Sequence, residues 1–292
     1  MRKVLKWIGI VFGVLVGLII VVAAVLSVIG YQKLSNSAAY TVNEAFTVPT
    51  SAEAAARGKY LATSTAGCFG CHGDGASGTI FSDGLPFGTL AAPNLTSGKG
   101  GIGGIMTDAD WNRAIRHGIG HDGRVLMIMP AEHFTHLSDA DLGAIVAYIK
   151  SLPPVDNVLP ARNLAIPAAL FVGSGMFSPG AALIDHSAAH PVVTPAETAD
   201  YGAYIVELAS CRACHGPNLA GGAGGGGQAG PNISPTGEVG AWTKEQFINT
   251  IRTGVNPADH HLSDEMPWAY FKLMNDQDLG AVYAYLHSLP AK

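Results

Sequence analysis

Two five-residue stretches decide the reading: Cys68-Phe69-Gly70-Cys71-His72 and Cys211-Arg212-Ala213-Cys214-His215. C-x-x-C-H is the attachment signature of c-type haem. The two thiols add to the two vinyl groups of one porphyrin, and the adjacent His is close enough to bind the iron from one side. A lone C-x-x-C also serves redox dithiols and zinc. Here all 4 cysteines fall in two such motifs, and each motif ends in His. Structural zinc sites bring their pairs within a few tens of residues, whereas these open 143 positions apart, at 68 and 211. A redox dithiol expects a βαβ context, and neither motif has one. Cys68, Cys71, Cys211 and Cys214 are therefore expected to attach two covalent haem c groups, beside His72 and His215.

Outward from each motif the chain runs through the same order twice. Gly58-Lys59-Tyr60-Leu61 precedes the first motif and Gly202-Ala203-Tyr204-Ile205 the second. Pro93-Asn94-Leu95 corresponds to Pro231-Asn232-Ile233, Ile115-Arg116-His117-Gly118 to Ile251-Arg252-Thr253-Gly254, and Met129-Pro130 to Met266-Pro267. Thr107 and Asp110 read as a capping box. Ser138 caps a helix whose apolar face is Leu142, Ile145, Val146 and Ile149, at i, i+3, i+4 and i+7. The second copy closes the same way on Leu279, Val282, Tyr283 and Leu286, and both end in Ser-Leu-Pro. Helix formers dominate from about 54 to 66, with Tyr60 and Leu61 as the expected buried pair and Gly67 as the stop. The fold class expected is all-α: one N-terminal transmembrane helix and two tandem helical domains, 53–153 and 198–292. Residues 154–197, rich in Pro and Ala, form an inter-domain linker, read either as wrapping the two domains together or as a partner-docking strip. The Gly-rich run 221–230 lacks the G-K-[ST] of a phosphate loop and reads as a flexible loop near the second haem.

From Trp7 to Ile29 the chain is apolar apart from Ser27 and glycines, enough to cross a hydrocarbon layer of ~30 Å. Residues 1–30 are expected to be a membrane anchor and 31–52 a tether. Arg2, Lys3 and Lys6 precede the run, which puts the N-terminus in the cytoplasm and the rest in the periplasm, across a bacterial inner membrane. A cleaved signal peptide is the competing reading, with Ser37-Ala38-Ala39 as its cleavage site, but its apolar core is shorter. The formal charge is −5; without the three N-terminal cations, 14 Lys and Arg stand against 22 Asp and Glu. That balance disfavours nucleic acid or an anionic membrane surface as partner.

With C-x-x-C-H, a later Pro-Asn-Leu/Ile, Met-Pro and a closing amphipathic helix in order, each half resembles a class I cytochrome c domain. The chain resembles the membrane-anchored cytochrome c subunits of bacterial periplasmic alcohol and aldehyde dehydrogenases. Those subunits often carry three such domains where this chain has two. The resemblance implies His72 and His215 as proximal ligands, and Met129 and Met266 as sixth ligands through thioether sulfur, which raises the potential relative to a second His. It implies that the carbonyls of Pro93 and Pro231 accept the other ring N–H of each His. Arg116 and Arg252 are read either as partners of haem propionates or as solvated helix residues. Met127 lies near Met129, but only Met129 has a following Pro and matches Met266 at the 137-residue offset of the closing helices. Among the other histidines, His260-His261 is kept as an alternative ligand pair.

The implied role is electron transfer from a periplasmic dehydrogenase partner towards quinone or a terminal oxidase, not catalysis in its own right. A dihaem enzyme of peroxidase or thiosulfate-oxidising type would need an open or exchangeable iron position. A dihaem subunit of a terminal oxidase shares the anchor and tandem domains.

Overall fold

The computed structural model describes residues 2–35, 37, 40, 42, 45–222 and 229–291. Its helices are α1 (Arg2–Ser35), α2 (Ala52–Thr63), α3 (Cys68–His72), α4 (Asp108–His117), α5 (Ala131–Phe134), α6 (Asp139–Ser151), α7 (Ile166–Ser174), α8 (Ala199–Leu208), α9 (Cys211–His215), α10 (Lys244–Thr253), α11 (Trp268–Phe271) and α12 (Asp276–Ser288). The strands are β1 (Thr79–Gly84), β2 (Gly88–Ala92), β3 (Asn163–Leu164), β4 (Ala220–Gly222) and β5 (Gly230–Asn232). The expectation of an all-α fold is corrected by these strands. β1, β2 and β3 pair antiparallel in that order, and β4 pairs β5. β4 and β5 are glycine-rich and pair through backbone alone, whereas β1 holds the strand-favouring Thr79, Ile80 and Phe81 in a run too short and too exposed to alternate clearly.

The helical part repeats. In the first half α2 crosses α6, where Gly58 lets the backbones touch: a Cβ there would sit 1.8 Å from Ala144 O. In the second half α8 crosses α12 at Gly202, where a Cβ would sit 1.9 Å from Ala281 O. Thr107 and Asp110 form the capping box of α4, and Thr243 and Gln246 that of α10. Gly118 and Gly254 end these helices in the left-handed region, at φ 65° and 73°. One apolar core runs through both halves, from Leu61, Leu142 and Ile145 to Ile205, Leu279 and Leu286. α2 stops at Thr63, short of Gly67. Gly67 (φ 56°) instead leads into α3.

The tether and linker expectations change. α1 does not end near residue 30: it runs five residues further, its side chains exposed along most of its length and its last turns packed. Tyr31 Oη donates to Leu164 O at 2.7 Å, and Leu34 is fully buried with its carbonyl taking bonds from Val125 N and Arg162 Nη2, both 3.2 Å. Within 45–50, Val48 N donates to Asp108 at 2.9 Å and Pro49 packs on Gly143. The linker contains structure that its composition hides. It first runs back along the first half, where Asn94 Nδ2 and Thr96 Oγ1 donate to Val155 O and Asn163–Leu164 join β2. It then forms α7, which packs on α1. α7 is apolar all round, so no helical periodicity announced it.

Candidate haem-attachment sites

Each attachment motif forms one short helix between two sharp turns. The residue before the first Cys is left-handed in both (Gly67 at φ 56°, Ser210 at φ 55°), and the residue after His is a glycine at φ 70° or 79°. Four residues past His, Ala76 (φ 61°) and Leu219 (φ 60°) are again left-handed and fully buried. Their carbonyls accept from Leu95 N (2.8 Å) and Ile233 N (2.9 Å). These bonds bring the Pro-Asn segment back over the motif. Asn94 Oδ1 then accepts from Thr96 N and Oγ1, and Asn232 Oδ1 from Ser234 N and Oγ.

The consequence is a histidine held by the same atom pair twice. His72 Nδ1 donates to Pro93 O at 3.0 Å and His215 Nδ1 to Pro231 O at 2.8 Å. An Nδ1–H that donates fixes the neutral tautomer and leaves Nε2 with its lone pair, the form a metal needs. Burial lowers the His72 pKa, the Pro93 carbonyl opposing that in part. At His215 the fit is tight: a Cβ on Gly230 would lie 2.8 Å from His215 Nδ1 and 3.0 Å from Cys214 O. Residues 223–228 of the Gly-rich run lie outside the described residues.

The thiols are free in the protein chain. Burial pushes Cys68 and Cys211 up to about 12, and raises Cys71 as well. Among the described residues, no His, Cys, Asp and Glu group collects as a metal site. A buried donor also awaits a partner: Trp111, 2% exposed, has an indole N–H with no acceptor among the described residues. It belongs to the core against which Cys68, Phe69 and Met129 pack. A carboxylate-bearing group such as haem fits an orphaned donor there.

Both Met-Pro steps have one shape. The Met carbonyl accepts from the N–H two residues on, Met129 O from Ala131 N (2.8 Å) and Met266 O from Trp268 N (2.7 Å). Pro130 (φ −80°, ψ 63°) and Pro267 (φ −77°, ψ 41°) sit at the centre of these inverse γ-turns and open α5 and α11. Met129 and Met266 pack against the main core, as Cys68 and Cys211 do. Met127 points elsewhere, buried in a second apolar cluster with Leu34, Val125, Ala168 and Val172. His260 and His261 are exposed, at a turn where His261 bridges Val255.

Both arginines make hydrogen bonds within the protein. Arg116 is 1% exposed and clasps α4 to the start of α6, donating to Asn112 Oδ1 (3.1 Å), Leu137 O (2.7 Å) and Asp139 Oδ1 (2.7 Å). Arg252 does the same between α10 and α12, through Lys272 O and Asp276 Oδ1, at a more exposed position. The solvated reading does not describe Arg116. Two of its acceptors, on Leu137 and Asp139, stand 21 and 23 residues away, beyond any local pattern.

The two halves meet across a pseudo-two-fold that the sequence did not announce. Tyr60 Oη donates to Asp278 Oδ2 and Tyr204 Oη to Asp141 Oδ2, both at 2.8 Å. Tyr60 corresponds to Tyr204 in the repeat, and Asp141 to Asp278. Such reciprocity is the mark of an isologous contact. The remaining signal was a Tyr at the same place in both copies, each with one polar atom on an otherwise apolar helix face. The contact reaches the attachment motif: a Cβ on Gly70 in α3 would lie 3.2 Å from Tyr270 Oη in α11. On the other side, α5 packs on α8.

Residues 53–149 match the family model for cytochrome C oxidase, cbb3-type, subunit III, and residues 189–290 match that for cytochrome c. Among characterised proteins, the chain is 31% identical to the fructose dehydrogenase cytochrome subunit of Gluconobacter japonicus, over 84% of this chain and 55% of that protein. It is 28% identical to the cytochrome c subunit of the alcohol dehydrogenase (quinone) of Gluconobacter oxydans, over 80% and 54%. A diheme cytochrome c-type protein of Cereibacter sphaeroides is 27% identical over 77% of this chain and 82% of its own length. The chain thus spans about half the length of the dehydrogenase relatives.

Proposed function

We propose that this dihaem c-type cytochrome, which carries two covalently bound haem c groups, takes electrons from a periplasmic dehydrogenase and passes them towards quinone or a terminal oxidase. The observation that carries the reading is the two-fold packing of two like attachment sites on one continuous core, with the α3 motif against the other domain. The haems supply one-electron chemistry. The chain attaches them through Cys68, Cys71, Cys211 and Cys214. It holds His72 and His215 in the metal-binding tautomer through Pro93 and Pro231. It offers Met129 and Met266 as soft sixth donors, which favour the reduced iron. The dehydrogenase relatives support the partner class. The family match of residues 53–149 alone favours an oxidase subunit, but the relatives aligned over both domains are mostly dehydrogenase cytochrome subunits.

The domains of this reading are 53–153 and 198–292, held at the membrane by α1. That helix is apolar over a span sufficient to cross a bilayer. It places the haem domains on the periplasmic face with Arg2, Lys3 and Lys6 inside.

Purification of the native complex from membranes tests the assignment. A co-purifying dehydrogenase subunit, and about two c-type haems per chain by pyridine haemochrome, are expected. A copper–haem integral subunit as the companion would move the protein to the oxidases, and one haem per chain would end the dihaem reading.

A further inference from the structure

The segment between the domains holds a surface that electron transfer leaves unexplained. From Asn163 to Ile184 the chain carries no charged residue, with Arg162 and Asp185 bounding it. Within it, Ala168, Ala169 and Val172 of α7 are buried against α1, and Pro179, Gly180 and Ala181 are buried as the chain returns to the first domain beside Ala131 and Glu132. Ile166 is 66% exposed and Met176 76%. A helix apolar all round belongs inside a core or inside a membrane. α7 has one face against α1 and no protein over the other among the described residues.

The packing places α7 at a definite level along α1. A Cβ on Gly30 would sit 1.8 Å from Ala169 O, and one on Gly173 1.8 Å from Leu26 O, so the two backbones touch. Such close approach through small residues is how helices associate in lipid, where apolar surface alone gives no drive to pair. Leu170 lines one apolar groove with Leu15, Leu18, Ile19, Val22, Ala23 and Leu26 of α1. These residues lie within the apolar run Trp7–Ile29. The backbone is suited to the same medium. Phe177 N closes onto Phe171 O and Gly175 N onto Val172 O, while Ser174 Oγ donates to Phe171 O. The end of the helix and its one hydroxyl are therefore satisfied internally, as a segment in hydrocarbon requires.

We propose that α7 and the short 175–178 turn after it insert into the outer leaflet beside α1, as a short re-entrant element with acyl chains against Ile166, Leu170, Phe171 and Met176. At nine residues α7 is too short to span the bilayer, which leaves partial insertion. The occupant is lipid because the surface is continuous with the α1 face that the proposed function already places in the bilayer. The inference rests on that reading. Its role is to seat the first domain: Arg162, at the near end, holds Leu34 O and Val125 O, so the leaflet contact is coupled to that domain.

The test uses the full haem-loaded chain, alone in lipid nanodiscs containing phosphatidylcholine with a diazirine near the acyl terminus. After irradiation, adducts are mapped by peptide mass spectrometry. Adducts are expected on α1 and on 166–178, on the order of tenfold above the peptides of 198–291. Adducts on α1 alone would overturn the proposal and leave the membrane span standing, the outcome expected if a protein partner or a second copy covers α7. Adducts on neither segment would remove the span itself.

Discussion

At the two positions the repeat makes equivalent, Asp141 carries a cation and Asp278 does not. Arg57 grips Asp141 with Nε (2.9 Å) and Nη2 (3.1 Å), and Tyr204 Oη donates to the same carboxylate. Asp278 takes the matching bond from Tyr60, but the residue corresponding to Arg57 is Tyr201, and Oδ1 of Asp278 has no partner among the described residues. Arg57 and Tyr201 touch each other at 3.0 Å, where the pseudo-axis passes. Burial, offset in part by Tyr60, raises the Asp278 pKa above its ordinary 3.8. The halves therefore share the haem-holding framework and differ in how each polar group at its margins is satisfied. The first domain, clamped to α1 and to the linker, buries its clasp arginine. The second leaves its clasp arginine partly exposed.

The largest contrast is expected at the two arginine clasps. Arg116→Met removes a guanidinium that is 1% exposed and leaves the acceptors on buried Asn112 and Leu137 without it, and is expected to cost about 3 kcal/mol. Arg252→Met removes a guanidinium that is 32% exposed and is expected to cost under about 1 kcal/mol. Urea unfolding in detergent, followed by far-UV circular dichroism, reads both. Equal losses would mean that the burial difference has no energetic content.

The carboxylate pair comes next. Asp141→Asn is expected to cost about 2 kcal/mol, through loss of the charge-assisted bonds to Arg57. Asp278→Asn is expected to cost less than about 1 kcal/mol, since Arg57 bonds Asp141 directly and acts on Asp278 only at longer range. The pH dependence carries a sign. With its native pKa above 3.8, Asp278 keeps its proton after the unfolded chain has lost it. Its contribution is thus fully present below pH 3.8 and lost as pH rises through the native value. Asp278→Asn should remove that slope from the urea midpoint above pH 3.8. An unchanged slope in the variant would assign it to another group.

The smallest contrast lies in the turns before the two motifs. Gly67 and Ser210 share one left-handed conformation, which only glycine adopts without strain. Gly67→Ala is expected to destabilise by about 1 kcal/mol, although its Cβ would meet open space. Ser210→Gly is expected to stabilise by about 0.5 kcal/mol. Thermal unfolding of both variants checks the opposite signs.

Much of this was legible in the sequence because it is local. The C-x-x-C-H spacing, the capping residues and the i, i+4 faces of α6 and α12 each fall within a few residues. The choice of Met129 over Met127 needed only the repeat, and the structure buries Met127 among Leu34 and Val172, away from the motifs. What escaped depends on distance or on missing periodicity. Arg116 finds Asp139 across a loop, Tyr60 finds Asp278 across the whole chain. β1 and β2 are short runs with no clear alternation of buried and exposed residues, and α7 has no polar face to give it a period.

The central claim is that the repeat delivers two equivalent His/Met irons, and the axial methionines test it most directly. Fe(III) with a thioether ligand shows a weak long-wavelength charge-transfer band, whose intensity per haem can be followed in Met129→Ala and Met266→Ala. Each substitution is predicted to remove about half the band and to lower one midpoint potential, while Met127→Ala leaves the band at full intensity. A high-spin iron in the unmutated protein, or rapid binding of cyanide at one haem, would contradict the account by exposing an open site.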